Sequence, residues 1–268
     1  MSLYFFNLQN EQMRILLSND DGINGHGLKV LEKIARTLSD DVWIVAPELD
    51  QSGSSHSLTL RDPLRIREVS PKKFAVSGTP TDCVMMAVSH ILKDKRPDLV
   101  LSGVNYGSNM AEDVTYSGTI AAAFEGALLN IRSIAFSINI QHEHPAKWAT
   151  AEHFGPDILK KLAETPMDKN VIFNVNFPDT IVSSVKGIRI TTQGHRSGDD
   201  NIIACKDPRG RPYFWIGAGL YRYAPCPTAL EPGTDLEAIH SGYISITPLS
   251  LNLTHEQTLN SLKGSFEL

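Results

Sequence analysis

Residues 14–18 (RILLS) form an apolar run that stops at Asn19-Asp20-Asp21-Gly22. Apolar side chains then recur at helical spacing (Leu28, Leu31, Ile34, Ala35, Leu38), and a second apolar run, 42–46 (VWIVA), ends at Pro47. A strand–helix–strand unit of this kind favours a parallel sheet with a right-handed crossover. This opening third of the chain constrains the fold more than any other feature.

The alternation continues. Residues 63–67 and 74–77 read as a short β excursion, and Thr79 caps a helix with Pro80 at its first position and Asp82 in its first turn. Residues 98–101 (DLVL) are the next strand, followed by a long polar loop from Ser102 to Tyr116. Ser117 caps an alanine-rich helix over 119–129; 133–138 is a strand, 146–164 an amphipathic helix and 171–176 a strand. Beyond about 180 the pattern changes: 187–192, 201–205 and 213–216 alternate as strands, 207–210 reads as a hairpin turn, and 243–247 is the last strand. The expectation is an α/β fold: a doubly wound, mostly parallel, Rossmann-like sheet with a β-rich C-terminal projection. Residues 1–12 read as an extension and 13–268 as a single domain, with a core over about 13–180 and the projection and C-terminal arm over about 181–268.

Three loops, each directly after a strand, collect the small polar side chains: 18–22 (SNDDG), 50–57 (DQSGSSHS) and 102–119 (SGVNYGSNMAEDVTYSGT). In an open parallel sheet ligands bind beyond the carboxyl ends of the strands, so these loops are expected to meet there. An Asp-Asp pair taken alone is most simply a solvated turn. At the end of a strand, beside two oxygen-rich loops, Asp20 and Asp21 instead read as ligands of a cation, and an Asp, Ser and Asn donor set suits Mg²⁺, Mn²⁺ or Ca²⁺ better than Zn²⁺. Ser117-Gly118-Thr119 opens a helix whose free N–H groups can take an anion, and Asn105 and Asn109 precede it on the same loop.

Other chemistries lack their motifs. Gly22 to Gly27 is followed by Leu28-Lys29 rather than the Gly-Lys-Ser/Thr of a P-loop, and Val30 stands where a dinucleotide fingerprint needs its third glycine. No Gly-x-Ser-x-Gly elbow occurs. His142-x-His144 reads as part of a solvated loop, while His26, His56 and His195 are candidate proton carriers. The net charge of −5 argues against a general nucleic-acid binder. Three scattered cysteines fit a reducing compartment rather than a disulfide framework or zinc site. No apolar run approaches the roughly 20 residues that span a bilayer, and Met1 to Gln12 lacks the pattern of a signal peptide. The expectation is a cytoplasmic protein with neither nucleic-acid nor membrane partners.

RILLSNDDG (14–22), VAPELDQSGSSHSLTL (45–60), SGTPTDCV (77–84), SGVNYGSNMAEDVTYSGTIAAAFEG (102–126), DPRGRPYFWIG (207–217) and GTDLEAIHSGYISITPL (233–249) together resemble the stationary-phase survival protein SurE family of metal-dependent 5′/3′-nucleotidases. The resemblance runs from about Met13 to Leu251. It implies one divalent ion per subunit, Mg²⁺ or Mn²⁺, held by Asp20, Asp21, Ser52 and Asn105; composition does not distinguish Ser52 from Ser54 or Ser55. It also implies phosphate contacts from Asn109, Ser117, Gly118 and Thr119, with Asp20 and Asp21 as the catalytic pair. The implied activity is hydrolysis of nucleoside 5′- and 3′-monophosphates, with short polyphosphate as a further substrate. Homodimers or homotetramers joined through the C-terminal projection are implied as well. Rival readings are an aspartyl-phosphate phosphatase and a non-catalytic nucleotide-binding protein.

Overall fold

The computed structural model describes residues 12–140, 145–196, 202–216 and 230–266. His142, His144, Cys226 and nearly all of the N-terminal extension lie outside the described residues. Strand β1 (Arg14–Ser18) leads to α1 (His26–Ala35), β2 (Asp41–Pro47), β3 (Ile66–Ser70), β4 (Lys73–Val76) and α2 (Pro80–Met86), which continues as a π-helical turn over Ala87–Ile91. Next come β5 (Leu99–Tyr106), α3 (Asp113–Tyr116), α4 (Gly118–Leu128), β6 (Arg132–Ile138), α5 (Trp148–Glu164) and β7 (Val171–Phe177). The chain ends with β8 (Ile188–Ile190), β9 (Ile202–Lys206), β10 (Pro212–Ile216), α6 (Asp235–His240), β11 (Ile244–Ser250) and α7 (Glu256–Phe266).

Nine strands form one sheet in the order β3-β4-β2-β1-β5-β6-β7-β11-β8. The run from β4 to β7 is parallel, whereas β3 pairs antiparallel with β4 and β11 antiparallel with β7. Counting only the six parallel strands, the order is 3-2-1-4-5-6, which reverses between β1 and β5 and opens a crevice at that point. Burial explains the apolar runs. Ile15 and Leu17 of β1 face a core shared with α1 and α5, while Leu16 faces a second core with residues of α2 and α4. A strand covered on both faces has no polar alternation to display.

The helix starts are built locally. The Thr79 hydroxyl accepts from Asp82 N–H (3.2 Å) and the Asp82 carboxylate accepts from Thr79 N–H (2.9 Å), a capping box worth about 1 kcal/mol. Gly27 lets α1 lie directly on β5, since a Cβ there would sit 1.8 Å from the Val104 carbonyl oxygen.

Three of the departures from the expected pattern bear on the site and its surroundings. Strand β5 runs on to Tyr106, five residues past its expected end, because Asn105 and Tyr106 still pair with β6 and Ser102 and Asn105 stay buried despite their polarity. The expected boundary near residue 180 does not separate core from projection: β8 and β11 belong to the main sheet, and among the described residues only β9 and β10 form a separate two-stranded sheet. Helix α6 was not expected, although Thr234 to Glu237 carries the Thr-x-x-Glu capping signature and the Thr234 hydroxyl accepts from Glu237 N–H.

At the amino ends of β1 and β2, Asp41 accepts from Arg14 Nε (2.8 Å), Lys72 Nζ (2.7 Å) and Trp43 Nε1 (2.9 Å). Burial alone would raise this carboxyl, but the three donors outweigh it and hold its pKa at about 2. A carboxyl depressed in the folded state stabilises fully above its unfolded value of about 4, and loses that contribution as pH falls toward 2. Asp41→Asn is therefore expected to cost about 1 kcal/mol of stability at pH 7, given the exposure of Lys72, and to lower the melting temperature accordingly. The gap from wild type should narrow steadily in melts taken below pH 4. A gap that is constant down to pH 3 would contradict this assignment.

Candidate active site

Three loops meet at the crevice between β1 and β5 and are tied together by hydrogen bonds. Asn19 Nδ2 donates to the Gly22 carbonyl (3.0 Å), closing the turn after β1, where Gly22 adopts φ +90° against the Leu49 backbone. Gln51 N–H from the second loop donates to the Asp20 carbonyl (2.9 Å). From the third, Tyr106 N–H donates to Asp21 Oδ2 (3.3 Å), and Ser55 N–H reaches the Tyr116 carbonyl (3.1 Å). The pivot is Thr119, whose hydroxyl donates to Asp20 Oδ1 at 2.5 Å.

These contacts enclose a cavity of about 160 Å³ lined by Asp20, Ser52, Asn105, Asn109 and Ser117, together with Gly53, Tyr106, Ser108, Asp113 and Tyr116. Five of the eight residues singled out in the sequence thus line one space. Asp21 stands beside it, bonded to Tyr106. Gly118 and Thr119 lie behind it. A Cβ at Gly118 would come within 2.8 Å of Asp20 Cβ and 3.0 Å of both Pro80 Cγ and Ser54 Oγ, so this glycine is required by the approach of Asp20, α2 and the second loop. Thr119 is fully buried and its hydroxyl is committed to Asp20, so its side chain orients that carboxylate rather than offering itself to a phosphate.

The serines of the second loop are separated by geometry. Ser52 faces the cavity; Ser55 donates to the Thr115 carbonyl (2.7 Å); Ser54 Oγ is buried without a hydrogen-bond partner among the described residues. Asn105 turns its amide nitrogen to the Gly107 carbonyl (2.8 Å), which leaves its amide oxygen as the donor atom for a cation. Asn109 is fixed by two residues that the sequence reading missed. Asn174 Nδ2 donates to its carbonyl (2.7 Å), and Asn176 Oδ1 accepts from its N–H (2.9 Å), while its own amide donates to Ser137 Oγ (2.9 Å). Two fully buried asparagines, two apart in an apolar strand, need partners, and that spacing was a readable signal.

A second missed residue is Asp235 at the start of α6. Its carboxylate accepts from the N–H groups of Ala111 (3.0 Å), Gly194 (2.9 Å) and Leu236 (2.7 Å), pinning the middle of the third loop. Of the histidines, His56 meets Glu125 at 3.0 Å, His195 pairs with Glu112, and His26 stands against Trp148. None of them lines the cavity that holds Asp20. His56 and Ser117 do line a larger neighbouring space of about 420 Å³, bounded by Phe124, Leu249 and Leu251.

The electrostatics of the smaller cavity call for a cation. Among the described residues its lining includes two carboxylates, Asp20 and Asp113, and no Lys, Arg or His. Arg196 answers Asp113 at 2.6 Å. Burial pushes the Asp20 carboxyl up; the hydroxyl and backbone N–H of Thr119 pull it back, and nearby Asp50 adds to the rise. No group of three or more His, Cys, Asp or Glu forms a metal site among the described residues. A cation here would therefore rest on few carboxylates and several neutral oxygens, a donor set that fits Mg²⁺ or Mn²⁺.

The model of the survival protein SurE family matches residues 15–200, more than half of the chain. The chain belongs to the SurE family. It is 55% identical over 254 residues to the 5′-nucleotidase SurE of Paramagnetospirillum magneticum, covering 95% of this chain and 96% of that protein. With the 5′-nucleotidase SurE of Parvibaculum lavamentivorans it shares 53% identity over 260 residues, 95% of this chain and 91% of the relative. The crystal structure of the SurE protein from Aquifex aeolicus superposes with a TM-score of 0.80 at 38% identity, covering 94% of this chain and 99% of that one.

Gly118→Ala tests the convergence directly. The added methyl must displace Asp20 or Pro80, at an overpacking cost of about 1–3 kcal/mol. Phosphate release is expected to fall at least about tenfold, with a melting temperature lowered by several degrees. Activity and stability both equal to wild type would mean that Asp20 is not seated where this packing places it.

Proposed function

We propose that this chain is a metal-dependent 5′-nucleotidase, a phosphomonoesterase that releases phosphate from nucleoside 5′- and 3′-monophosphates at the cavity between β1 and β5. The observation that carries this reading is a buried carboxylate at the switch point of the sheet, in a small oxygen-lined cavity with no basic side chain on its wall among the described residues. A phosphate dianion cannot enter such a field unaided. A bound divalent cation supplies the positive charge that draws in the phosphate and lowers the pKa of a water molecule.

The chain's own residues divide the remaining work. Asp20 and Asp21 carry the negative charge that retains the ion, and Ser52 and Asn105 add neutral oxygens. Asn109 and the amino end of α4 at Ser117 offer donors to the phosphate oxygens. Thr119 holds one oxygen of Asp20 in a fixed hydrogen bond, and the carboxylate's charge serves to retain the ion. That favours water as nucleophile, oriented by Asp21, over an aspartyl-phosphate route.

We infer one ion per subunit, Mg²⁺ or Mn²⁺, and a homodimer or homotetramer. The exposed apolar side chains of β10, Phe214, Trp215 and Ile216, support assembly through the hairpin. We place the protein in the cytoplasm; no described helix is long and apolar enough to cross a membrane.

The test is phosphate release from a panel of 5′- and 3′-nucleotides and short polyphosphate. Exhaustive chelation is expected to abolish turnover, and added Mg²⁺ or Mn²⁺ to restore it better than Zn²⁺. Asp20→Asn should lose at least about a hundredfold in kcat/KM, roughly 2.7 kcal/mol of transition-state stabilisation. Without metal it should melt no lower than wild type, because the ionised Asp20 carboxylate is unfavourable in its buried position. Full turnover after chelation would overturn the reading.

A further inference from the structure

The phosphate chemistry uses the floor of the cavity and leaves its aromatic rim without a role. Tyr106 ends β5 one residue beyond Asn105. Its backbone N–H is committed to Asp21, and the residue lines the same cavity as Asp20 and Ser52 and is 45% exposed. Tyr116, at the end of α3, lines that cavity too and is 55% exposed.

The Tyr106 ring is backed by others. Its centroid lies 6.1 Å from the Trp148 ring at an interplanar angle of 34°, and Trp148 lies 5.1 Å from the His26 ring. Trp148 opens α5 and is held close above α1: a Cβ on Gly27 would come within 3.3 Å of the indole edge. Tyr106 therefore lies at the cavity with a second ring beside it. An aromatic surface left open at the mouth of a polar cavity forgoes burial of apolar area. A planar, apolar-faced ligand recovers that loss.

Resting on the nucleotidase reading, we propose that Tyr106, braced by Trp148, is the surface on which the nucleobase of the substrate stacks, with Tyr116 as the second ring of the rim. The face of a phenol ring carries no donor–acceptor pattern, so this contact grips bases without choosing sharply among them. It acts on affinity and positioning. The metal end of the site remains the place of reaction.

The experiment compares AMP with ribose 5-phosphate, which keeps the phosphate and sugar but lacks the base, on wild type, Tyr106→Ala and Tyr106→Phe. Adenosine binding by calorimetry supplies a readout that needs no turnover. Tyr106→Ala should lower kcat/KM for AMP about tenfold, chiefly through KM, a loss equivalent to about 1.4 kcal/mol. The loss with ribose 5-phosphate should be at least fivefold smaller. Adenosine affinity should fall in parallel, and Tyr106→Phe should recover most of both. Equal losses on both substrates, or an unchanged ratio and adenosine affinity, would overturn the proposal and place the base elsewhere, for instance in the larger apolar space beside Phe124. If AMP is not hydrolysed yet adenosine binding still falls in Tyr106→Ala, the nucleotidase reading fails while the stacking surface stands.

Discussion

The hydrogen bond from Thr119 to Asp20 spans 99 residues of sequence, and the arrangement of the cavity depends on it. It joins the turn after the first strand to the first turn of α4, and so couples the two sides of the crevice where the sheet reverses its winding. Gly118 must lack a side chain for the two segments to come this close, and Ser54 and Pro80 complete the contact. A carboxylate placed there is out of water and near Asp50, compensated by the hydroxyl and backbone N–H of Thr119 and by its own backbone N–H. Such an arrangement is costly on its own. Under the proposed function a cation in the neighbouring space offsets that cost, which would link the stability of the site to its chemistry.

Around this pivot the fold supplies rigidity from several directions. Asn174 and Asn176, fully buried on β7, hold the backbone of Asn109, and Asp235 on α6 holds Ala111 and Gly194. Each of these polar groups is buried and answered by hydrogen bonds, so each fixes one geometry rather than several. The third loop is thereby anchored in its middle, while Tyr106 bonded to Asp21 and Thr119 bonded to Asp20 hold its two ends. The membership of the SurE family and the 38% identity with the Aquifex aeolicus structure fit a scaffold of this kind, in which the loops at one sheet edge carry the function.

Much of this was legible in the sequence, for identifiable reasons. Apolar runs buried on both faces announced β1 and β2, and Thr79-Pro80 and Ser117 announced helix starts. Oxygen-rich loops placed after strands pointed to Asp20, Asn105 and Asn109. What escaped depends on tertiary context. The polar end of β5 looks like a loop because its burial comes from neighbouring strands. The task of Thr119 is invisible until β1 and α4 are placed side by side. Asn174 and Asn176 sit inside an apolar strand, where only the need of buried amides for partners gives them away. The role of Tyr106 required knowing that the strand carries it to the rim and that Trp148, 42 positions later in the numbering, stands behind it.

The central claim is that the cavity at Asp20 is built around one divalent cation. Calorimetric titration of Mn²⁺ into chelator-stripped protein tests it most directly, with wild type and Asp20→Asn side by side. The account predicts one ion per chain for wild type and loss of that binding in the variant, with the variant still folded. Unaltered binding in Asp20→Asn, or no saturable binding by wild type, would contradict it.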